Sequence, residues 1–202
     1  MKPEIVVFDI GGVLIDWSPQ HLYRRLIPDD EARAALFARL PLDAMNLEGD
    51  RNGSLRAEVE ALAERHPEEA ALILPWWAGW ERMCAGLFAD AVALRDALRK
   101  AGVPVWALSN FAADAWERAL RLHPEIGEFD GLVISGHERL VKPDPALYER
   151  LERRAGAAGA ALFFIDDKDH NVAAARARGW GGHVHEGASG TRAALAAAGF
   201  PV

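Results

Sequence analysis

Four short apolar runs constrain this chain more than any other feature: residues 5–8, 103–108, 132–134 and 162–165, each bounded by glycine, proline or acidic residues. Strands buried on both faces read as continuous apolar runs, so these four predict a parallel sheet. Helical patterns separate and follow them at 89–101, 113–122, 145–155, 171–178 and 191–198. Gly102, Gly156, Gly179 and Gly199 stand just past four of these patterns, where helix ends take positive φ. Strands alternating with helices predict the α/β class, with helices on both faces of the sheet.

Residues 17–86 break that rhythm, with several helix signatures and no convincing strand, and predict an inserted all-helical module. Ser18-Pro19 reads as a cap with proline at the first helical position. Asp29 and Ser54 can cap helices over 30–40 and 55–66, and Gly49–Gly53 reads as a turn between helices. Trp76, Trp77 and Trp80, at helical spacing, predict packing between helices. The predicted layout is therefore a core of residues 1–16 and 87–202 and an insertion of residues 17–86.

A chain of 202 residues can bury roughly 70% of its unfolded surface and needs no staple. Cys84 is the only cysteine, which excludes an internal disulfide, a zinc knuckle and a Cys-x-x-Cys pair and fits a reducing cytoplasm. The net charge of -7 opposes nucleic acid and anionic membranes as partners. The apolar run near the N-terminus is too short for a signal peptide or a spanning helix. Lysine occurs only at Lys2, Lys100, Lys142 and Lys168, so an anionic ligand has few places to find an ammonium group.

The chemistry gathers where the runs end. The first run leads into Asp9-Ile10-Gly11-Gly12, the second into Ser109-Asn110 and the fourth into Asp166-Asp167, with Lys142-Pro143-Asp144-Pro145 between the last two. Open α/β sheets bind ligands at the carboxyl ends of their strands. Ser109 and Asn110 can hydrogen-bond phosphate oxygens, Lys142 can neutralise a carboxylate and a transferred group, and Asp166 and Asp167 suit a hard cation such as Mg²⁺.

In this order and spacing the motifs Phe-Asp-x-Gly-Gly-Val-Leu, Leu-Ser-Asn, Lys-Pro-Asp-Pro-x-x-Tyr and Phe-Phe-Ile-Asp-Asp-x-x-x-Asn resemble those of the haloacid dehalogenase (HAD) superfamily, over nearly the whole chain. The resemblance implies a Rossmann-like core carrying a helical cap, with the first strand between the second and the fourth. By it, Asp9 attacks phosphorus to form an aspartyl-phosphate, and Ser109, Asn110 and Lys142 hold the phosphoryl group. Asp9, the Gly11 carbonyl and Asp167 bind Mg²⁺, with Asp166 behind. The implied activity is a phosphatase acting on a small-molecule phosphate ester, a sugar phosphate being the first candidate, and members similar to α-D-glucose-1-phosphate phosphatases share the Asp-x-Gly pattern.

One departure stands out: most phosphatases of the superfamily carry a second aspartate, the general acid and base, where this chain has Gly11. Glycine cannot move a proton, and losing that function costs about 10²–10⁴ in rate. The same departure leaves open a metal-independent 2-haloacid dehalogenase, against which Asp166-Asp167 speaks, and a phosphate-binding protein of low turnover. Asp16, Lys168, Asp169 and His170 stand nearby, none with a clear claim to the role. Asn171 is expected to orient Lys142 or a carboxylate or to cap its helix, and His183 and His185 alternate on a further short strand without a third ligand. Glu48, Asp50 and Arg51 are expected in a solvated turn, with substrate contact the less favoured alternative.

Overall fold

A computed structural model describes residues 3–202. Met1 and Lys2, where the expected core segment begins, lie outside the described residues. The strands are β1 (Ile5–Phe8), β2 (Ile15–Trp17), β3 (Cys84–Leu87), β4 (Val105–Ser109), β5 (Gly131–Ile134), β6 (Leu162–Asp166) and β7 (Gly181–Val184). Five of them form a parallel sheet in the order β5-β4-β1-β6-β7. The chain thus has the α/β architecture that its apolar runs predict, with β1 between the second and fourth of them.

Both faces of the sheet are covered, which is why the strands lack alternation. Val6 and Phe8 of β1 pack with Leu94 and Leu98 of the helix Ala89–Lys100 and with Leu195 of the helix Ala188–Ala197. Ile5 and Val7 face the other way, toward Leu147, Tyr148 and Leu151 of the helix Pro145–Ala155 and Ala175 of the helix Asp169–Ala177. Observed ends differ from the expected ones by a few residues. The last helix begins at Ala188 rather than 191, and the preceding one at Asp169 rather than 171, so Asn171 lies inside its first turn and is not its cap.

Between β2 and β3 the chain is helical, and Ser18, Asp29 and Ser54 cap their helices through side-chain oxygens as expected. Two details of the insertion depart from the sequence reading. Trp17 and Cys84–Leu87 are strand residues: β2 and β3 pair antiparallel at the root of the insertion, with Ile15 opposite Leu87 and Trp17 opposite Cys84. The Gly49–Gly53 string is not a turn either, because the helix Leu42–Asn52 runs through it and ends only at Gly53. A Cβ on Gly49 would lie 2.9 Å from the Leu55 Cα. This glycine therefore serves the close approach of the next helix, Leu55–Arg65.

Trp76 and Trp80 are fully buried, and Trp76 packs near Tyr23 and Phe37 in a cluster that also takes in Phe111, Ala115 and Trp116 from the sheet side. Trp77 lies under the Arg118 guanidinium, 4.3 Å from ring centroid to Cζ. The helices Leu55–Arg65 and Ala113–Leu122 complete each other's first turns. Asp114 accepts from the Leu55 and Arg56 amides at 3.0 and 3.2 Å and from Ser54 Oγ at 2.9 Å. In return the Gly53 carbonyl accepts from the Ala113 and Asp114 amides. Orphan amides at a helix start are what a cap satisfies. Asp114→Ala should therefore cost about 1–2 kcal/mol, the upper range for a cap, read as a lowered thermal midpoint; an unchanged midpoint would rule this role out.

Candidate active site

Parallel register brings the strand ends level: Phe8 pairs with Ala107 on one side and Ile165 on the other. Asp9 therefore emerges between Ser109 and Asp166. Its Oδ1 accepts from Ser109 Oγ at 2.6 Å and from the Ile10 amide at 2.7 Å, and Lys142 Nζ lies 2.9 Å away. Lys142 Nζ also donates to Asp166 Oδ2 at 2.6 Å. Asn110 fixes the lysine's backbone, its Oδ1 accepting from the Lys142 amide and its Nδ2 donating to the Lys142 carbonyl. Asn110 thus shapes the loop that presents Lys142, and it also lines the cleft.

Asp166, with no exposed surface, accepts from the Lys168 amide and, through both of its oxygens, from Asn171 Nδ2 at 3.0 and 3.1 Å. Asn171 accordingly orients a carboxylate, one of its expected roles, and reaches Lys142 only through Asp166. Asp167 is half-buried and pairs with Lys168 Nζ at 2.8 Å. Gly12 must be glycine: its φ is +72°, and a Cβ there would lie 2.6 Å from Asp167 Oδ2. The turn after β1 and the turn after β6 can approach only because that atom is absent.

Burial and charge set the protonation of this group. Burial lifts the Asp9 carboxyl to about 7, with Asp166 adding and with Lys142 and Ser109 opposing. Burial also acts on Asp166, but Lys142, the Lys168 amide and Asn171 outweigh it and hold that carboxyl below its ordinary value. Desolvation works against the Lys142 ammonium, and the two carboxylates more than compensate, raising it. Asp166 is thus the carboxylate that Lys142 holds ionised, while Asp9 needs further positive charge to stay so.

Oxygens of Asp9, Asp166 and Asp167 lie within 4.8 Å of one another, so the three could share a cation. Oxygen donors of this kind suit a hard ion. Residues 3–179 match the family of haloacid dehalogenase-like hydrolases. The chain belongs to this family. A sesquiterpene phosphatase from Aspergillus oryzae is 27% identical over 176 residues, covering 86% of this chain and 85% of the relative. A HAD family enzyme from Bacteroides thetaiotaomicron, solved with magnesium and inorganic phosphate, superposes with a TM-score of 0.67 at 17% identity, over 92% of this chain and 95% of that one. The L-2-haloacid dehalogenase from Xanthobacter autotrophicus gives 0.64 at 21% identity, over 89% and 76%. These two structures share the fold with this hydrolase.

The hydrolase opens a cleft of about 600 Å³ over Asp9, bounded by Gly11, Ser109, Asn110, Lys142 and Asp167 on the sheet side. Trp17, Asn46 and Asp50 wall it from the insertion and also line a small adjoining recess of about 70 Å³. Asp50 is buried, against its expected place in a solvated turn, while Glu48 is exposed and pairs with Arg51. The signal for Asp50 was its spacing: Asn46 and Asp50 stand four apart, on one face of a helix. His170 is exposed at the cleft mouth, and His185 lies outside the cleft, bonded to Thr191 Oγ1 at 2.7 Å. Asp16 is engaged by His21 at 2.9 Å. Among the described residues no helix is long and apolar enough to cross a membrane.

Proposed function

We propose that this hydrolase is a Mg²⁺-dependent phosphatase of small organic phosphomonoesters, with sugar phosphates the first class to test. The observation that carries this reading is the environment of Asp9. One of its oxygens is held by Ser109, Lys142 and a backbone amide, beside two carboxylates close enough to share a cation with it. In this reading Asp9 is the nucleophile, and its attack on phosphorus gives an aspartyl-phosphate that water then hydrolyses. Ser109, Asn110 and Lys142 bind the phosphoryl oxygens, with Lys142 offsetting their charge. Asp9, Asp167 and the Gly11 carbonyl would hold Mg²⁺, with Asp166 behind them. The ion would supply the positive charge that keeps Asp9 ionised and lets two anions approach.

The matched phosphatase from Aspergillus oryzae and the magnesium and phosphate in the Bacteroides enzyme support this reading. Residues 17–86 would act as the cap over a core of residues 1–16 and 87–202, shutting water out of the cleft, and the protein would work in the cytoplasm. The test is phosphate release from hexose 1- and 6-phosphates, isoprenyl monophosphates and p-nitrophenyl phosphate, with and without Mg²⁺. Release should stop with a chelator and return with Mg²⁺. Asp167→Asn should raise the Mg²⁺ concentration for half-maximal rate by at least about 10–100-fold, the effect typical of disturbing a metal site. Chelator-resistant chloride release from 2-chloropropionate, with no phosphate release, would replace this reading by a dehalogenase.

A further inference from the structure

The cleft lacks a proton donor at the position where Gly11 stands, and nothing lies within 4 Å of a Cβ built there. The same cleft and its recess are lined by a buried carboxyl from the insertion, Asp50. Asp50 Oδ1 accepts from the Ala112 amide at 2.9 Å and Oδ2 from Asn46 Nδ2 at 3.1 Å. The Asn46 amide is fixed in that sense, because its Oδ1 accepts from Trp76 Nε1 at 3.1 Å. Both partners of Asp50 are therefore donors, and neither can take the proton of a neutral carboxyl. That proton is left for an acceptor in the cleft that the carboxyl lines.

We propose that Asp50 is the general acid and base of the hydrolase, supplying from the insertion the proton transfer that Gly11 cannot. The proposal rests on the phosphatase reading. In the first step an Asp9 oxygen bonds to phosphorus and the ester P–O bond breaks. Its electron pair stays on the leaving oxygen, which takes the Asp50 proton and departs as the alcohol. In the second step a water in the vacated place gives a proton back to the Asp50 carboxylate as its oxygen bonds to phosphorus. The bond to Asp9 breaks, returning its pair to the carboxylate, and inorganic phosphate leaves.

The surroundings suit that cycle. Burial lifts the Asp50 carboxyl to about 7, opposed by the Ala112 amide and Lys142 and helped by Asp9 and Asp114. Asp43, Asp167, Lys168 and His170 are the other titratable groups around the cleft. An acid that titrates near the working pH is the efficient one for proton transfer.

Asp50→Asn keeps an oxygen for the Ala112 amide and removes the proton. For a hexose phosphate, whose alcohol leaves poorly, kcat should fall by about 10²–10⁴-fold with KM within a few-fold. For p-nitrophenyl phosphate, which needs no acid, kcat/KM, which reports the first step alone, should fall far less, and the second step, slowed by loss of the base, should leave a burst of p-nitrophenol. The fall of wild-type kcat as pH rises through the neutral range should vanish in the variant, and adding Gly11→Asp should restore part of the hexose phosphate rate. Equal losses of kcat/KM on both substrates, or an unchanged pH profile, would overturn the role. Infrared titration gives a second readout without substrate: a protonated-carboxyl band titrating near neutrality that persists in Asp9→Asn, which removes the other carboxyl lifted to about 7, and is missing when Asp50→Asn is added. Its absence overturns the proposal on its own. That band in Asp9→Asn, together with a wild type that releases no phosphate, would place the failure in the phosphatase reading and remove the catalytic role with it.

Discussion

Asp9→Asn should lower phosphate release by about 10⁴–10⁶-fold, the scale seen when a nucleophile is removed, and should do so for every substrate, good leaving groups included. The amide keeps the size of the carboxylate and can still accept from Ser109, so the loss would be chemical. Stability should move the other way. The folded carboxyl, lifted by burial to about 7, lies above its ordinary value. The folded state therefore holds the proton more tightly than the unfolded chain, and stability falls as pH rises through that interval. The amide escapes this penalty. At pH 8 the variant should melt above the wild type and at pH 4 close to it, while a variant that keeps substantial turnover would move the nucleophile elsewhere.

Lys142→Met should be the most destabilising single change in the site. Lys142 is 3% exposed and stands between Asp9 and Asp166, of which Asp166 has no exposed surface at all. Removing one partner of a buried ion pair leaves charge without compensation, at a cost of about 3–5 kcal/mol. The sign with pH follows from what remains. Without the ammonium Asp9 rises further and Asp166 rises above its unfolded value, so the deficit is small below about pH 4 and grows as pH rises through the new folded values. Denaturant unfolding at pH 5 and pH 8 would show the gap widening at the higher pH. A constant gap would mean that packing, not charge, sets the loss. Phosphate release at pH 7 should fall with it by about 10²–10³-fold, as for loss of one preorganised donor.

Much of this was legible in the residues because burial on both faces of a parallel sheet leaves a plain mark. Ile5–Phe8 and Leu162–Ile165 can only be apolar throughout, and the first polar residue after such a run marks the edge where ligands bind. Asp9, Ser109 and Asp166 are those residues, and the structure brings them within hydrogen-bonding reach of one another or of Lys142. The insertion was less legible, because β2 has three residues and the part-exposed β3 carries no continuous apolar run. Asp50 was obscured by its neighbours: Gly49-Asp50-Arg51-Asn52-Gly53 has the composition of a turn, and only the packing of Leu55 against Gly49 explains why a helix runs through it.

The reciprocal completion of two helix starts by Gly53 and Asp114 bears on how such a protein can change its diet. The insertion does not merely sit on the sheet. Its helix Leu55–Arg65 borrows a cap from the helix Ala113–Leu122 and Gly53 lends one in return, and the insertion shares one apolar cluster with Phe111, Ala115 and Trp116. A transplanted insertion would arrive with its own face and its own caps and would leave these groups bare. If the insertion is the cap proposed above, new substrates would be reached by changing residues on its cleft side, or by exchanging it together with the face of that helix it packs on, as a single heritable block.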